Sequence, residues 1–170
     1  MAEVVSLKTK KGIPAGESVS QILSALGGLQ QIVRPEALVL IKPNFVAPFP
    51  HAVTSFEILE AIVKEVKQCG GRPIIAESSG FEFDTETTFK VLGAYEFASR
   101  NDVELINLDN CEFTNVKVKH PLLKEFRLPK LLQKVDVLIN VPKLKRHSLT
   151  NVTIGTKNLF GLLERQSRRK

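Results

Sequence analysis

Three short and almost wholly apolar runs constrain this chain more than any other feature: LVLIK at residues 38–42, PIIAE at 73–77 and DVLINV at 136–141. Each is too short for a stable helix, lacks the alternation of a half-exposed strand, and stops at a charged residue or a proline. That pattern belongs to strands buried on both faces. Between the first two lies a strong helical repeat, with Phe56, Leu59, Ile62, Val63 and Val66 on one face, Thr54 and Glu57 spaced as a capping box, and Gly70-Gly71 as a stop. Strand, helix, strand in this order requires a crossover connection, so the fold class is α/β, with a mainly parallel open sheet and helices on both faces.

The remaining elements are read the same way. Residues 3–8 form a first strand candidate. A helix follows from Ser18, capped with Gln21 and ended by Gly27-Gly28. Residues 85–100 read as a helix broken at Gly93, and VELIN at 103–107 as a further strand. The valine alternation at 115–119 suggests an exposed strand or hairpin arm. A short helix introduced by Pro129 is expected over 128–134, and a last one over 157–163 behind Gly155. With 170 residues and no repeat or linker, residues 1–163 make one α/β domain and 164–170 a flexible basic tail.

Charge is distributed unevenly. The net charge is +6, yet residues 1–140 are close to balance. From Val141 onward Lys143, Lys145, Arg146, Lys157, Arg165, Arg168, Arg169 and Lys170 face only Glu164. Such local asymmetry points to an anionic partner. A nucleic-acid-binding module in this segment is the alternative, and it is disfavoured by the neutral body, the single tyrosine, the absence of tryptophan and the lack of a recognised binding motif. Cys69 and Cys111 are far apart and match no redox or metal pattern. Neither an apolar leader nor a run long enough to span a membrane is present, so the cytoplasm is the expected compartment.

In open parallel sheets the ligand crevice lies beyond the carboxyl ends of the strands. The residues at those ends are Lys42, Pro43 and Asn44 after the first buried run; Glu77, Ser78, Ser79 and Gly80 after the second; Asp109 after VELIN; and Pro142 and Lys143 after the last. Lys143, Lys145 and His147 alternate, so an extended backbone sets all three on one face. Such a cluster repels itself unless an anion neutralises it. An edge strand guarded by lysines is the competing explanation. Gly155, Thr156, Lys157 and Asn158 open the last helix, where free backbone N–H groups favour phosphate or carboxylate, although Thr156 serves equally as a simple cap. The anion-binding set is therefore Lys42, Asn44, Lys143, Lys145, Thr156, Lys157 and Asn158, and His147 with Glu77 is the candidate acid/base pair. These residues specify a binding crevice and leave open whether a reaction occurs in it. Glu77, Asp109 and His147 lack the tight spacing of a metal site, and none is expected. The apolar loop at 45–52 (FVAPFPHA) either covers the crevice or packs against a neighbouring subunit.

The combination of VLIKPN at 39–44, Glu77-Ser78 with Gly80, DVLINVPKLKRH at 136–147 and KNLFG at 157–161 resembles the domain of unknown function (DUF) 362 family over nearly the whole chain. The family's pattern falls on Lys42, Asn44, Glu77, Pro142, Lys143, Lys145, His147, Lys157, Asn158 and Gly161. Some members carry a ferredoxin-like iron–sulfur segment, so the resemblance implies a role as accessory subunit of an iron–sulfur redox system as a further alternative. This chain lacks clustered cysteines and is expected to hold no iron–sulfur cluster itself; no other cofactor is indicated. Members commonly continue past KNLFG, which makes a short form or fragment a further expectation. Expected partners are an anionic small molecule and either a protein partner or a second copy.

Overall fold

A computed structural model describes residues 3–9, 12–80, 82–120, 125–147 and 151–169, the side chains of His147 and Arg169 excepted. Its centre is a four-stranded parallel sheet in the order β3-β2-β1-β6, formed by β1 (Leu38–Lys42), β2 (Arg72–Glu77), β3 (Glu104–Asn107) and β6 (Val137–Asn140). Sequential strands run outward from β1 on one side, and β6 returns to its other side. This reversal of order creates the crevice at which α/β sheets bind ligands. Register aligns Ile41 with Ile75 and Lys42 with Asn140, so the three buried runs end at nearly the same level.

One sheet face presents Val39, Ile41 and Ile75 to α2 (Phe56–Gln68), whose Leu59, Ile62, Val63 and Val66 are buried, and to Val19 and Leu23 of α1 (Ala15–Ala25). Phe89 of α3 (Thr85–Leu92) and Phe97 of α4 (Ala94–Arg100) extend that core. Burying each such side chain is worth about 1.5–3 kcal/mol, which is why the helical period of residues 56–66 tracks the packed face. The opposite sheet face, through Leu40, Ile74 and Ala76, packs on Leu108, Leu162 and the partly buried Leu128, Leu131 and Leu132. Gly93 ends α3 and starts α4 at φ 72°, a conformation that an L side chain adopts only at a cost.

Several expectations at the sequence level are corrected. Residues 3–8 form no strand: they pair with no strand among the described residues, and Val4 is 89% exposed. α1 begins at Ala15 behind Pro14, leaving Ser18 inside the helix rather than capping it; Gln21 bonds Glu17 instead. Pro14 stands at the N-cap, with ψ 142° outside the helix, and no side chain caps the helix there. Pro129 closes a strand as well as introducing a short helical turn. Glu125–Pro129 (β5) pairs antiparallel with Phe113–Lys117 (β4), and only a 3-10 turn follows at Lys130–Gln133. The last helix, α5 (Gly155–Leu159), starts two residues early and tightens into a 3-10 turn at Phe160–Leu162. Lys145–His147 (β7) and Asn151–Thr153 (β8) form a small antiparallel ribbon above the strand ends.

Candidate functional site

The carboxyl ends of β1 and β2 meet through a buried ion pair. The Lys42 ammonium donates to the Glu77 carboxylate and to the carbonyl of Pro43, and both charged side chains are almost fully withdrawn from solvent. Burial pushes the Lys42 ammonium down from the ordinary lysine value and the Glu77 carboxyl up, while each partner's charge opposes the other's shift. The second Glu77 oxygen accepts from the Ser78 backbone N–H at 3.0 Å. Gly161 lies directly over the pair. A Cβ there would stand 3.0 Å from Lys42 Nζ and 3.1 Å from Glu77 Oε1, so this position admits no side chain without displacing pinned atoms. Lys42 and Glu77 thus form the fixed floor of the strand-end edge, with their polar atoms already engaged.

Above them runs a chain of side-chain amides. The Asn44 amide donates to Asn158 Oδ1 at 2.9 Å; Asn158 donates to Asn140 Oδ1 at 2.8 Å and to the Pro43 carbonyl at 3.0 Å; and Asn140 donates to the Gly155 carbonyl at 2.9 Å. This chain ties β1, β6 and α5 together. Thr54, read from sequence as a helix cap, does something else: its hydroxyl accepts from the Asn44 N–H and donates to the Val141 carbonyl. α2 is entered through Ser55 without any side-chain cap. Two backbone groups at the strand ends outcompeted the helix for that hydroxyl.

Lys145 reaches back from β7 to donate to Asn44 Oδ1 at 2.8 Å and the Ala52 carbonyl at 2.7 Å. Among the described residues one of its three N–H groups remains. Its half-burial and the neighbouring Lys143 and Lys157 charges lower its pKa, against the pull of Glu77. Lys157 makes no hydrogen bond among the described residues; its ammonium stands 5.4 Å from the Phe160 ring centroid. Opposite Lys145 on the ribbon is Thr153, 3% exposed, whose buried hydroxyl has no partner among the described residues. These groups share one cavity of about 450 Å³, walled also by Val46, Ala47, Glu77, Ser78, Glu82, Phe83, Asn158, Phe160 and Arg168.

The placement of the predicted residues is therefore as follows. Lys42, Asn44, Glu77, Lys145, Lys157 and Asn158 are gathered at one edge. Lys143 is half-buried nearby, close enough for its charge to be felt at Lys145, but it does not line the cavity; Thr156 is exposed and does not line it either. His147 closes β7 opposite Asn151, and its side chain lies outside the described residues, so the geometry of a Glu77–His147 pair does too. Asp109 sits elsewhere, accepting from Thr85 at 2.6 Å and Arg165 at 3.3 Å beside a separate groove. Among the described residues no group of three His, Cys, Asp or Glu side chains is placed to hold a metal ion. In the loop at 45–52, Phe45 is buried edge-on against Phe56 and Phe89, while Val46 and Ala47 line the cavity.

Three contributors escape a reading of the sequence. Asn140 looks like an ordinary residue of an apolar strand, although a polar amide inside DVLINV signals a partner to be found. Arg165 and Arg168 belong to the stretch read as a flexible tail, yet Arg165–Arg169 forms a 3-10 turn. From it Arg168 donates to the carbonyls of Leu163, Gly161 and Ser79 and to the Ser78 hydroxyl. Arg165 donates to the carbonyls of Gly80 and Phe83. The physical reason is that β2 ends in carbonyls no strand neighbour satisfies, and guanidinium forks match them.

Comparison with known proteins agrees with the motifs. The model of a family described as "Domain of unknown function (DUF362)" matches residues 39–170. Among curated proteins, the chain is 29% identical over 167 residues to a protein named as thylakoid-associated from Synechocystis, an alignment covering 95% of this chain and 51% of that protein. The chain spans about half the length of the curated relative it matches.

Proposed function

The chain belongs to the DUF362 family, and from that premise we propose that it binds a small molecule bearing a phosphate or carboxylate in the cavity at the carboxyl ends of its strands. One observation carries this reading. Lys145, Lys157 and Thr153 line one cavity in which Glu77 is already matched by Lys42. Like charges held together at a half-buried site raise each other's free energy, and an anion between them removes that cost. Among the described residues Lys145 keeps one ammonium N–H and Lys157 all of its own, enough for the oxygens of one anionic group.

Asn44 and Asn158 fix Lys145 and the start of α5 and so act as positioning residues. Lys42, Glu77 and Arg168 build the floor. The proposed location is the cytoplasm; no helix among the described residues is long and apolar enough to cross a membrane. The curated relative's thylakoid association makes cell fractionation the check on that point.

The test is thermal unfolding of the purified chain with inorganic phosphate, acetate and citrate at matched ionic strength. At least one anion should raise the melting temperature, and Lys157→Ala, which breaks no hydrogen bond among the described residues, should abolish the rise. No stabilisation by any of the anions, or an equal rise in Lys157→Ala, contradicts the proposal.

A further inference from the structure

The cavity is much larger than the anion it is proposed to hold. A phosphate or carboxylate has three to five heavy atoms and fills on the order of two or three water volumes, about 30 Å³ each, whereas the cavity is about 450 Å³. That size lies in the range of sites for whole organic ligands. Apart from Ser78, Ser79, Gly80, Glu82 and Arg168, what lines the remainder is apolar. Val46 and Ala47 form one wall, and Phe83 another, its ring braced edge-on by Phe49 at 5.5 Å between centroids. Phe160, 40% exposed, presents its ring beside the Lys157 ammonium.

Resting on the anion-binding reading above, we propose that the ligand is an anion carried on a flat, apolar body such as an aryl ring, the head seated between Lys145 and Lys157 and the ring against Phe83 and Phe160. The spacing fits a short connection. Lys157 Nζ lies 5.4 Å from the Phe160 centroid, so a ring bonded directly to its phosphate or carboxylate reaches the aromatic wall while the head stays on the cation. An aromatic ring is also the body such walls favour, through offset or edge-to-face contacts with the two phenylalanines.

Charge at the rim limits the head to one group. Glu82 is exposed at the cavity edge, and Glu77 stands at the floor. A second phosphate extending from the Lys145–Lys157 end would approach the exposed Glu82 carboxylate, with Arg168 already engaged by the carbonyls of Leu163, Ser79 and Gly161, while a neutral ring meets no such repulsion. The cavity therefore discriminates against polyphosphates and in favour of a single anionic head.

The experiment is calorimetric titration of the full chain with phenyl phosphate, inorganic phosphate and inorganic triphosphate at fixed pH and ionic strength. Phenyl phosphate is expected to bind at least about tenfold tighter than inorganic phosphate, a margin a buried ring readily supplies, and triphosphate is expected to gain nothing over phosphate. In Phe83→Ala the preference for phenyl phosphate should narrow several-fold; Phe160→Ala, at a partly exposed position, supplies the same readout if the first variant does not fold. Equal affinity for phenyl and inorganic phosphate overturns the aryl assignment while leaving anion binding intact. Tighter binding of triphosphate overturns the single-head assignment. Absence of binding by all three overturns the anion-binding reading along with this one.

Discussion

Replacing Glu77 with glutamine tests whether the strand-end edge rests on the Lys42–Glu77 pair. Gln keeps the shape but removes the charge, and it offers one carbonyl oxygen to two buried donors, the Lys42 ammonium and the Ser78 N–H, both now bonded to the carboxylate. One donor is left unsatisfied, costing about 1–3 kcal/mol. The ammonium, fully buried, also loses its counter-charge, and breaking a buried pair in this way costs about 3–5 kcal/mol in all. With a urea slope of roughly 1–3 kcal/mol/M, the unfolding midpoint should drop by about 2 M. The gap should also depend on pH. Burial already lowers the Lys42 pKa, and Glu77 is the influence that raises it, so the variant's folded state binds fewer protons than its unfolded state over a wider range below the ordinary lysine pKa. Stability then rises with pH wherever the unfolded state holds more protons. Glu77→Gln should accordingly recover part of its loss as pH is raised toward 10. Urea unfolding of both proteins at several pH values checks this. A loss under about 1 kcal/mol, or a gap unchanged with pH, refutes the reasoning, and Lys42→Met combined with Glu77→Leu should be less damaging than Glu77→Gln alone.

Further outcomes follow from the same geometry. Gly161→Ala should destabilise by about 1–3 kcal/mol through overpacking against Lys42 and Glu77, measured by urea unfolding, whereas Gly12→Ala, with nothing within 4 Å, should act only through its backbone conformation. Asn158→Leu leaves the Asn44 amide, the Pro43 carbonyl and Asn140 Oδ1 without their partner and should cost about 2–4 kcal/mol in the same assay. The lone tyrosine, Tyr95, is pushed up to about 12 by burial and by its hydrogen bond to Glu86. Its phenolate absorbance should titrate near that value and shift toward 10 in Glu86→Gln; the stability this contributes is present below pH 10 and lost as pH rises through the folded value.

Much of the fold was legible because burial on both faces leaves a plain mark. LVLIK, the IIAE of residues 74–77 and VLIN are strands where the apolar runs stand, and α2 follows its own hydrophobic period. The gathering of Lys42, Asn44, Glu77, Lys145, Lys157 and Asn158 was legible too, since parallel strands deliver their carboxyl ends to one edge. What escaped involves groups with more than one available partner. Thr54 is spaced as a cap, yet it bonds across to Asn44 and Val141. Arg168 sits in a basic run indistinguishable from a solvated one, and only the unsatisfied carbonyls of Ser79 and Gly161 give it a place. β5 was hidden because Pro129 both ends a strand and begins a 3-10 turn, although Glu125–Leu128 alternates charged and apolar residues and its burial follows that alternation.

The most direct test of the central claim is a phosphate titration followed by backbone amide chemical shifts. Binding at the strand ends predicts saturable shifts at Thr153, Lys145 and the Gly155–Leu159 helix, lost in Lys157→Ala. Shifts that never saturate, or that map instead to the groove beside Arg127 and Lys130, would contradict it.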